Sequence, residues 1–148
     1  MVHESDPYRL QRFLDAQAPV IERVFLELKA GKKQSHWMWF VFPQISGLGQ
    51  SSMSIKFAIS SRPEAEAYLG HAILGLRLRQ CTQLVNEIAG RSIAEIFGHP
   101  DDMKFQSSMT LFAACASEEN VFKAALDKYF AGEIDRRTIE RMPSLGCG

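Results

Sequence analysis

The stretch "SHWMWFVFPQISGLGQSS", residues 35–52, decides how the rest of the chain is read. Within it Trp37, Met38, Trp39, Phe40, Val41 and Phe42 follow one another with no polar residue between them. A half-exposed strand would alternate and a surface helix would show a stripe. An unbroken apolar run therefore belongs inside the molecule, as a strand buried on both faces or as a turn or two of core helix. Phe, Trp and Met supply much of a core's burial energy, so packing is the first role to assign to any one of these side chains. The indole N–H groups of Trp37 and Trp39 still need acceptors, and His36 stands beside them. This end of the run must meet a polar group or water. At the other end Gln44, Gly47, Gly49, Ser51 and Ser52 form a polar loop whose glycines permit close backbone approach. "GLG" alone falls short of a phosphate-binding fingerprint.

One further segment has strand character. In "MSIKFAIS" Met53, Ile55, Phe57 and Ile59 alternate with Ser54, Lys56, Ala58 and Ser60, the period of a half-buried strand. Paired with the aromatic run it gives one short β-hairpin from residues 37–43 and 53–59, which has to pack on helices to persist.

The remaining pattern is helical. Asp6-Pro7 opens a first helix, and Pro19 breaks it from a second that runs to Ala30 and stops at Gly31. Ser61-x-x-Glu64 and Ser92-x-x-Glu95 read as capping boxes. Leu74, Leu78, Cys81, Val85 and Ile88 form the most regular stripe, marking a central helix. Asp101 and Asp102 begin another with Phe105, Met109 and Phe112 inward. Ser117 is placed as the cap of the next, which ends at Gly132, and a last one runs from about Asp135 to Met142 before Pro143. The expected fold is all-α, a compact single-domain arrangement of six to eight helices. Its ordered core covers about residues 6–142, with short flexible tails at both ends.

Bulk composition narrows the function classes. The 148 residues suit one domain. Lys+Arg and Asp+Glu balance at 17 each, which removes the surplus of positive charge on which nucleic-acid binding mainly rests. No apolar run approaches the ~20 residues a membrane helix needs, and no apolar signal core follows Met1, so a cytoplasmic protein is expected. Cys81, Cys115 and Cys147 are odd in number and lack CxxC spacing, which argues for reduced thiols, with Cys147 exposed in a small-residue tail. His3, His36, His71 and His99 are too scattered to form a metal site.

Two constellations can carry chemistry. Around the aromatic run, Trp37 and Trp39 can stack on a ring, Gln44 and Ser51 can hydrogen-bond, and Arg77 can grip an anion. For catalysis the candidates are His36 or Asp102 as acid–base, with Lys104 or Ser108, one helical turn apart, assisting. The first set favours a domain that binds a small anionic or nucleotide-like ligand. The second allows a hydrolase of a nucleotide-type substrate, and exposed aromatics would instead suit a protein–protein or self-association module. No cofactor is named by these residues, and the oligomeric state stays open, a homodimer included.

The motifs "DPYRLQRFLDAQ", "SHWMWFVFPQ", "GLGQSS", "EAEAYL…H…LGLRL" and "IFG…D…KFQSSMTLF" resemble domain-of-unknown-function family 1810, small bacterial proteins sometimes labelled calpastatin. The resemblance spans about Asp6 to Met142. It implies a mainly α-helical domain without an established activity, cofactor or catalytic residue to transfer. The calpain-inhibitor label implies a disordered repeat protein, which the globular composition here opposes. "HAILGLRL" departs from the proline-containing form associated with the family, which bears on the junction at His71–Ala72.

Overall fold

In the computed structural model, which describes residues 6–117 and 120–142, ten helices succeed one another among the described residues. They are α1 (Gln11–Gln17), α2 (Ile21–Lys29), α3 (Met38–Val41), α4 (Ser52–Lys56), α5 (Arg62–Gly70), α6 (Leu74–Asn86), α7 (Ile93–Phe97), α8 (Asp101–Cys115), α9 (Val121–Phe130) and α10 (Arg136–Glu140). The fold is all-α, as expected. Residues 1–5, with His3, and 143–148, with Pro143 and Cys147, lie outside the described residues.

The hairpin does not form. Residues 38–41 and 52–56 are helical turns, and strand-like pairing among the described residues is confined to one parallel bridge between Ile45 and Ile59. That bridge is closed by the Ile59 amide donating to Gln44 O at 2.9 Å and the Ser46 amide donating to Ile59 O at 2.8 Å. Two local preferences outweigh the alternation. The Ser51 hydroxyl accepts the Ser54 amide at 3.1 Å and so starts a helix, and Pro43 has no N–H to give to a ladder. Only the last part of the alternating pattern is used, with Phe57 and Ile59 buried while Ile55 faces solvent.

Most other boundaries follow their signals, with three adjustments. The first helix begins at Gln11, since Arg9 takes a left-handed φ of 53°, and the Asp6 carboxylate caps it from a distance, accepting the Leu10 and Gln11 amides at 2.8 and 3.0 Å. Ser92 and Glu95 form a complete capping box. At Ser61 only half of one exists, because the Glu64 carboxylate turns to the Ser60 amide and hydroxyl at 2.9 and 2.7 Å. Asn120, rather than Ser117, caps α9, its side chain accepting the Lys123 amide at 2.7 Å.

The stripe on α6 buries Leu74, Leu78, Cys81 and Val85 and packs against α2, α5 and α9. The centre is shared with α8, the longest helix, which packs against α5, α7, α9 and α10. A single apolar core joins them. Trp37, Phe42, Phe97 and Phe105 meet in it at ring separations of 4.9–6.4 Å, edge-on, tilted or stacked, the spacing at which aromatic pairs gain beyond their buried area. No helix among the described residues is long and apolar enough to cross a membrane.

Candidate functional site

The site grows from one carboxylate. Glu27, at the end of the second turn of α2, accepts the Gln34 amide at 2.8 Å, the Ser35 amide at 3.1 Å, the Ser35 hydroxyl at 2.6 Å and the Trp37 indole N–H at 2.9 Å. Burial pushes this carboxyl's pKa up, but the donors together prevail and hold it below its ordinary 4.5. By satisfying the indole, Glu27 allows Trp37 to be buried completely. Trp37 therefore belongs to the core.

Trp39, two residues on, is only half-buried. It lines a pocket of about 240 Å³ together with Gln44, Ser46, Gly47, Ser54 and Phe57. Below it on α8 lies a charged tie between the two indoles. Asp101 meets Lys33 Nζ at 3.0 Å and Lys104 Nζ at 3.7 Å. Lys33 stands 5.1 Å from the Trp37 ring centre and Lys104 5.5 Å from that of Trp39, within cation–π range. Asp101 also sits in the first turn of α8, where the helix dipole favours a carboxylate.

The loop glycines serve this geometry internally. Gly47 has φ +95°, and a Cβ there would come within 2.8 Å of Arg141 Nη1. Its absence lets the Arg141 guanidinium lie against the loop beside the pocket. At Gly49 a Cβ would be 2.6 Å from Ser54 Oγ, the hydroxyl that also accepts from Ser51 Oγ at 3.0 Å. Ser51 thus acts as the cap of α4, bonded to the pocket residue Ser54.

The other sequence candidates are dispersed. His36 is exposed and makes no hydrogen bond among the described residues. Arg77 donates to Gln17 Oε1 at 3.2 Å, and the Gln17 amide donates to Phe40 O at 2.7 Å and Tyr68 Oη at 3.1 Å. Arg77 therefore closes a polar network between α1, α3, α5 and α6 rather than meeting His36. In the same region burial pushes the Tyr68 hydroxyl well up and the Cys81 thiol up to about 12, against the opposing charge of Arg77. Asp102 takes the Met103 amide at 2.8 Å and lies 3.0 Å from His99 Nδ1. Ser108 is fully buried and its hydroxyl has no partner among the described residues, while Lys104 turns to Asp101 and Trp39. The structure brings Trp39 and Gln44 together in one pocket, with Lys104 against the Trp39 ring and Ser51 linked to the pocket only through Ser54. Sequence reasoning missed Glu27 and Arg141. Glu27 reaches its partners across seven to ten residues without a motif, and Arg141 arrives from the far end of the chain, so only the demand for a glycine at 47 hinted at a close neighbour. No three His, Cys, Asp or Glu side chains among the described residues group as a metal site.

The fold and site define an all-α domain with a small pocket beside a half-buried tryptophan. The chain belongs to the family described as Protein of unknown function (DUF1810), whose model matches residues 7–142. It is similar to the conserved hypothetical protein Rv1873 from Mycobacterium tuberculosis, known from a crystal structure. The two are 55% identical, with a TM-score of 0.92 covering 94% of this chain and 99% of that one. No curated protein matches the chain.

Proposed function

We propose that the chain is a small-ligand-binding domain whose site is the Trp39 pocket, taking a single ring such as a base or sugar that bears an anionic group. The observation that carries this reading is that Trp39, unlike Trp37, keeps an open edge on a pocket with polar walls at Gln44, Ser46 and Ser54. Lys104 against its ring and Arg141 against Gly47 supply the positive charge an anionic substituent would need. At about 240 Å³ the space lies below the ~300–1,000 Å³ typical of drug-sized ligands, which favours a monocyclic group over a dinucleotide.

A hydrolase reading rests on the His99–Asp102 pair at 3.0 Å. His99 is 74% exposed and neither residue lines the Trp39 pocket, so binding is preferred over catalysis. The test is a thermal-shift screen of mononucleotides, nucleosides and sugar phosphates against the full chain and Trp39→Ala. A ligand at about a hundredfold its Kd stabilises by ~2.7 kcal/mol, on the order of 5–10 °C for a domain of this size. Trp39→Ala should fold and lose that shift. Binding that survives Trp39→Ala, or no shift from any compound, would remove the proposal.

A further inference from the structure

Every residue that lines the Trp39 pocket falls between Trp39 and Ala58, a stretch the structure describes without a break. The hydrogen-bonding groups on its wall differ in what they still have to give. The Gln44 backbone carbonyl is taken by the Ile59 amide at 2.9 Å, but the Gln44 side-chain amide makes no hydrogen bond among the described residues. The buried side-chain atoms without a partner among those residues are Asn86 Oδ1 and Ser108 Oγ, so both polar atoms of this half-buried amide stay open to solvent or a ligand. Gln44 therefore keeps an acceptor and a donor side by side in one plane. Ser54 is fixed differently. Ser51 Oγ accepts the Ser54 amide at 3.1 Å and donates its own proton to Ser54 Oγ at 3.0 Å, which leaves the Ser54 hydroxyl proton for another acceptor. A Cβ at Gly49 would stand 2.6 Å from that oxygen, so the glycine leaves it open on this side. The half-buried Trp39 ring supplies the flat apolar wall beside them.

We infer that Gln44 determines the specificity of this pocket, and that the ring it selects carries a lactam edge, a ring N–H next to a ring C=O, as in pyridones and oxo-pyrimidines. The inference rests on the reading of the Trp39 pocket as the binding site and names the chemistry of its ligand. A primary amide and a cis lactam pair through two parallel hydrogen bonds, Gln44 Oε1 accepting the ring N–H and Gln44 Nε2 donating to the ring oxygen. A ring without both partners on neighbouring atoms leaves one end of the amide unpaired. The same amide turned over can meet an amino group beside a ring nitrogen, but Ser54, as a donor, favours the oxo ring. Edge pairing lies in the plane of the ring and stacking on Trp39 lies perpendicular to it, so the two contacts do not compete. Bonds that a near-isostere cannot make discriminate far more strongly than a difference in apolar contact.

The experiment titrates a series of carboxylates built on one ring into the full chain by calorimetry: the lactam 6-oxonicotinate, its N-methyl derivative, 6-aminonicotinate and nicotinate. In the wild type the lactam should bind at least about tenfold more tightly than any of the others. Gln44→Leu breaks no side-chain hydrogen bond among the described residues. It should bring the whole series to within about twofold of nicotinate, whose own affinity stays unchanged. Trp39→Ala should lose every member. Absence of lactam binding, equal affinity of the lactam and either its N-methyl derivative or 6-aminonicotinate, or a lactam preference that survives Gln44→Leu would each overturn the inference. Equal affinities that vanish together in Trp39→Ala would leave the pocket itself standing, whereas equal affinities that persist in Trp39→Ala would remove the pocket as well.

Discussion

Four donors converge on the Glu27 carboxylate, and that convergence decides the fate of two tryptophans. Trp37 is drawn inside because its N–H has an acceptor there, and Trp39 keeps its edge toward the pocket. Glu27→Gln keeps the shape but puts an NH₂ against donors, which should cost about 1–3 kcal/mol at neutral pH. The wild-type contribution depends on pH in a definite direction. The folded carboxyl titrates below its ordinary value, so the stability it lends is whole above the unfolded glutamate pKa of about 4.3 and is lost as pH falls through the lower folded value. Urea midpoints measured from about pH 6 down to 3 should fall more steeply for wild type than for Glu27→Gln. Parallel slopes would show that the carboxylate does not carry this role. The sequence made half of this legible: an unbroken apolar run with indole N–H groups requires burial and an acceptor. Which acceptor was hidden, because a contact from a helix to a loop ten residues on leaves no periodic trace.

Among elements, α6 and α8 show what a pattern can and cannot disclose. The α6 stripe was readable because one face is buried and the other is wet. Its C-terminal carbonyls are closed from outside, by Lys128 Nζ on Asn86 O and Ile88 O at 2.6 and 2.7 Å and by the Tyr129 hydroxyl on Val85 O at 2.5 Å. On α8, buried residues run consecutively from Ser107 to Phe112, so no stripe marks the helix as central. Two of its hydroxyls hide inside by bonding back or across, Thr110 to Gln106 O at 2.8 Å and Ser107 to Asp135 Oδ2 at 2.6 Å, while that of Ser108 is buried without a partner among the described residues. The Asp135 carboxyl is raised by burial, but hydrogen bonds from the Ser107 and Thr138 hydroxyls, together with Arg137, outweigh it and leave it lowered. The end of α9 offers a direct test. Ala131, not Gly132 alone, takes a left-handed conformation with φ 55°, which costs an L-residue about 1–2 kcal/mol. Ala131→Gly should raise stability by about 0.5–1 kcal/mol after the added chain entropy, read as a higher urea midpoint at unchanged m-value. A lower midpoint would mean that the turn is held differently.

For the whole molecule the tie is Arg12. From α1 its guanidinium donates to Tyr8 O at 2.6 Å, Lys56 O at 2.8 Å, Ala58 O at 2.8 Å and Glu64 Oε2 at 3.0 Å, while its plane covers Phe13 at 4.4 Å. It joins the N-terminal segment, the stretch that replaced the expected hairpin, and α5. Glu64 is 3% exposed, so deleting its cation strands a buried charge. Arg12→Ala should cost about 3–5 kcal/mol. Arg12→Lys should recover only part of it, since an ammonium cannot match a planar fork that serves several carbonyls at once. Chemical denaturation of the two variants checks both statements, and a loss under about 1 kcal/mol for Arg12→Ala would deny the tie. Helix existence and the all-α class were legible from local signals. Arg12, Arg77 and Arg141 act across 44 to 94 residues, and such long-range partners are set by how helices stack, which no single stretch of sequence encodes.

The unequal placement of the two indoles also gives the protein a built-in pair of optical reporters. Trp37, sealed and hydrogen-bonded, should emit toward the blue and resist iodide. Trp39, at an open edge, should emit to the red and be quenched. Occupancy of the pocket and loss of the native structure would then change different parts of one emission spectrum, so that each can be followed in the presence of the other.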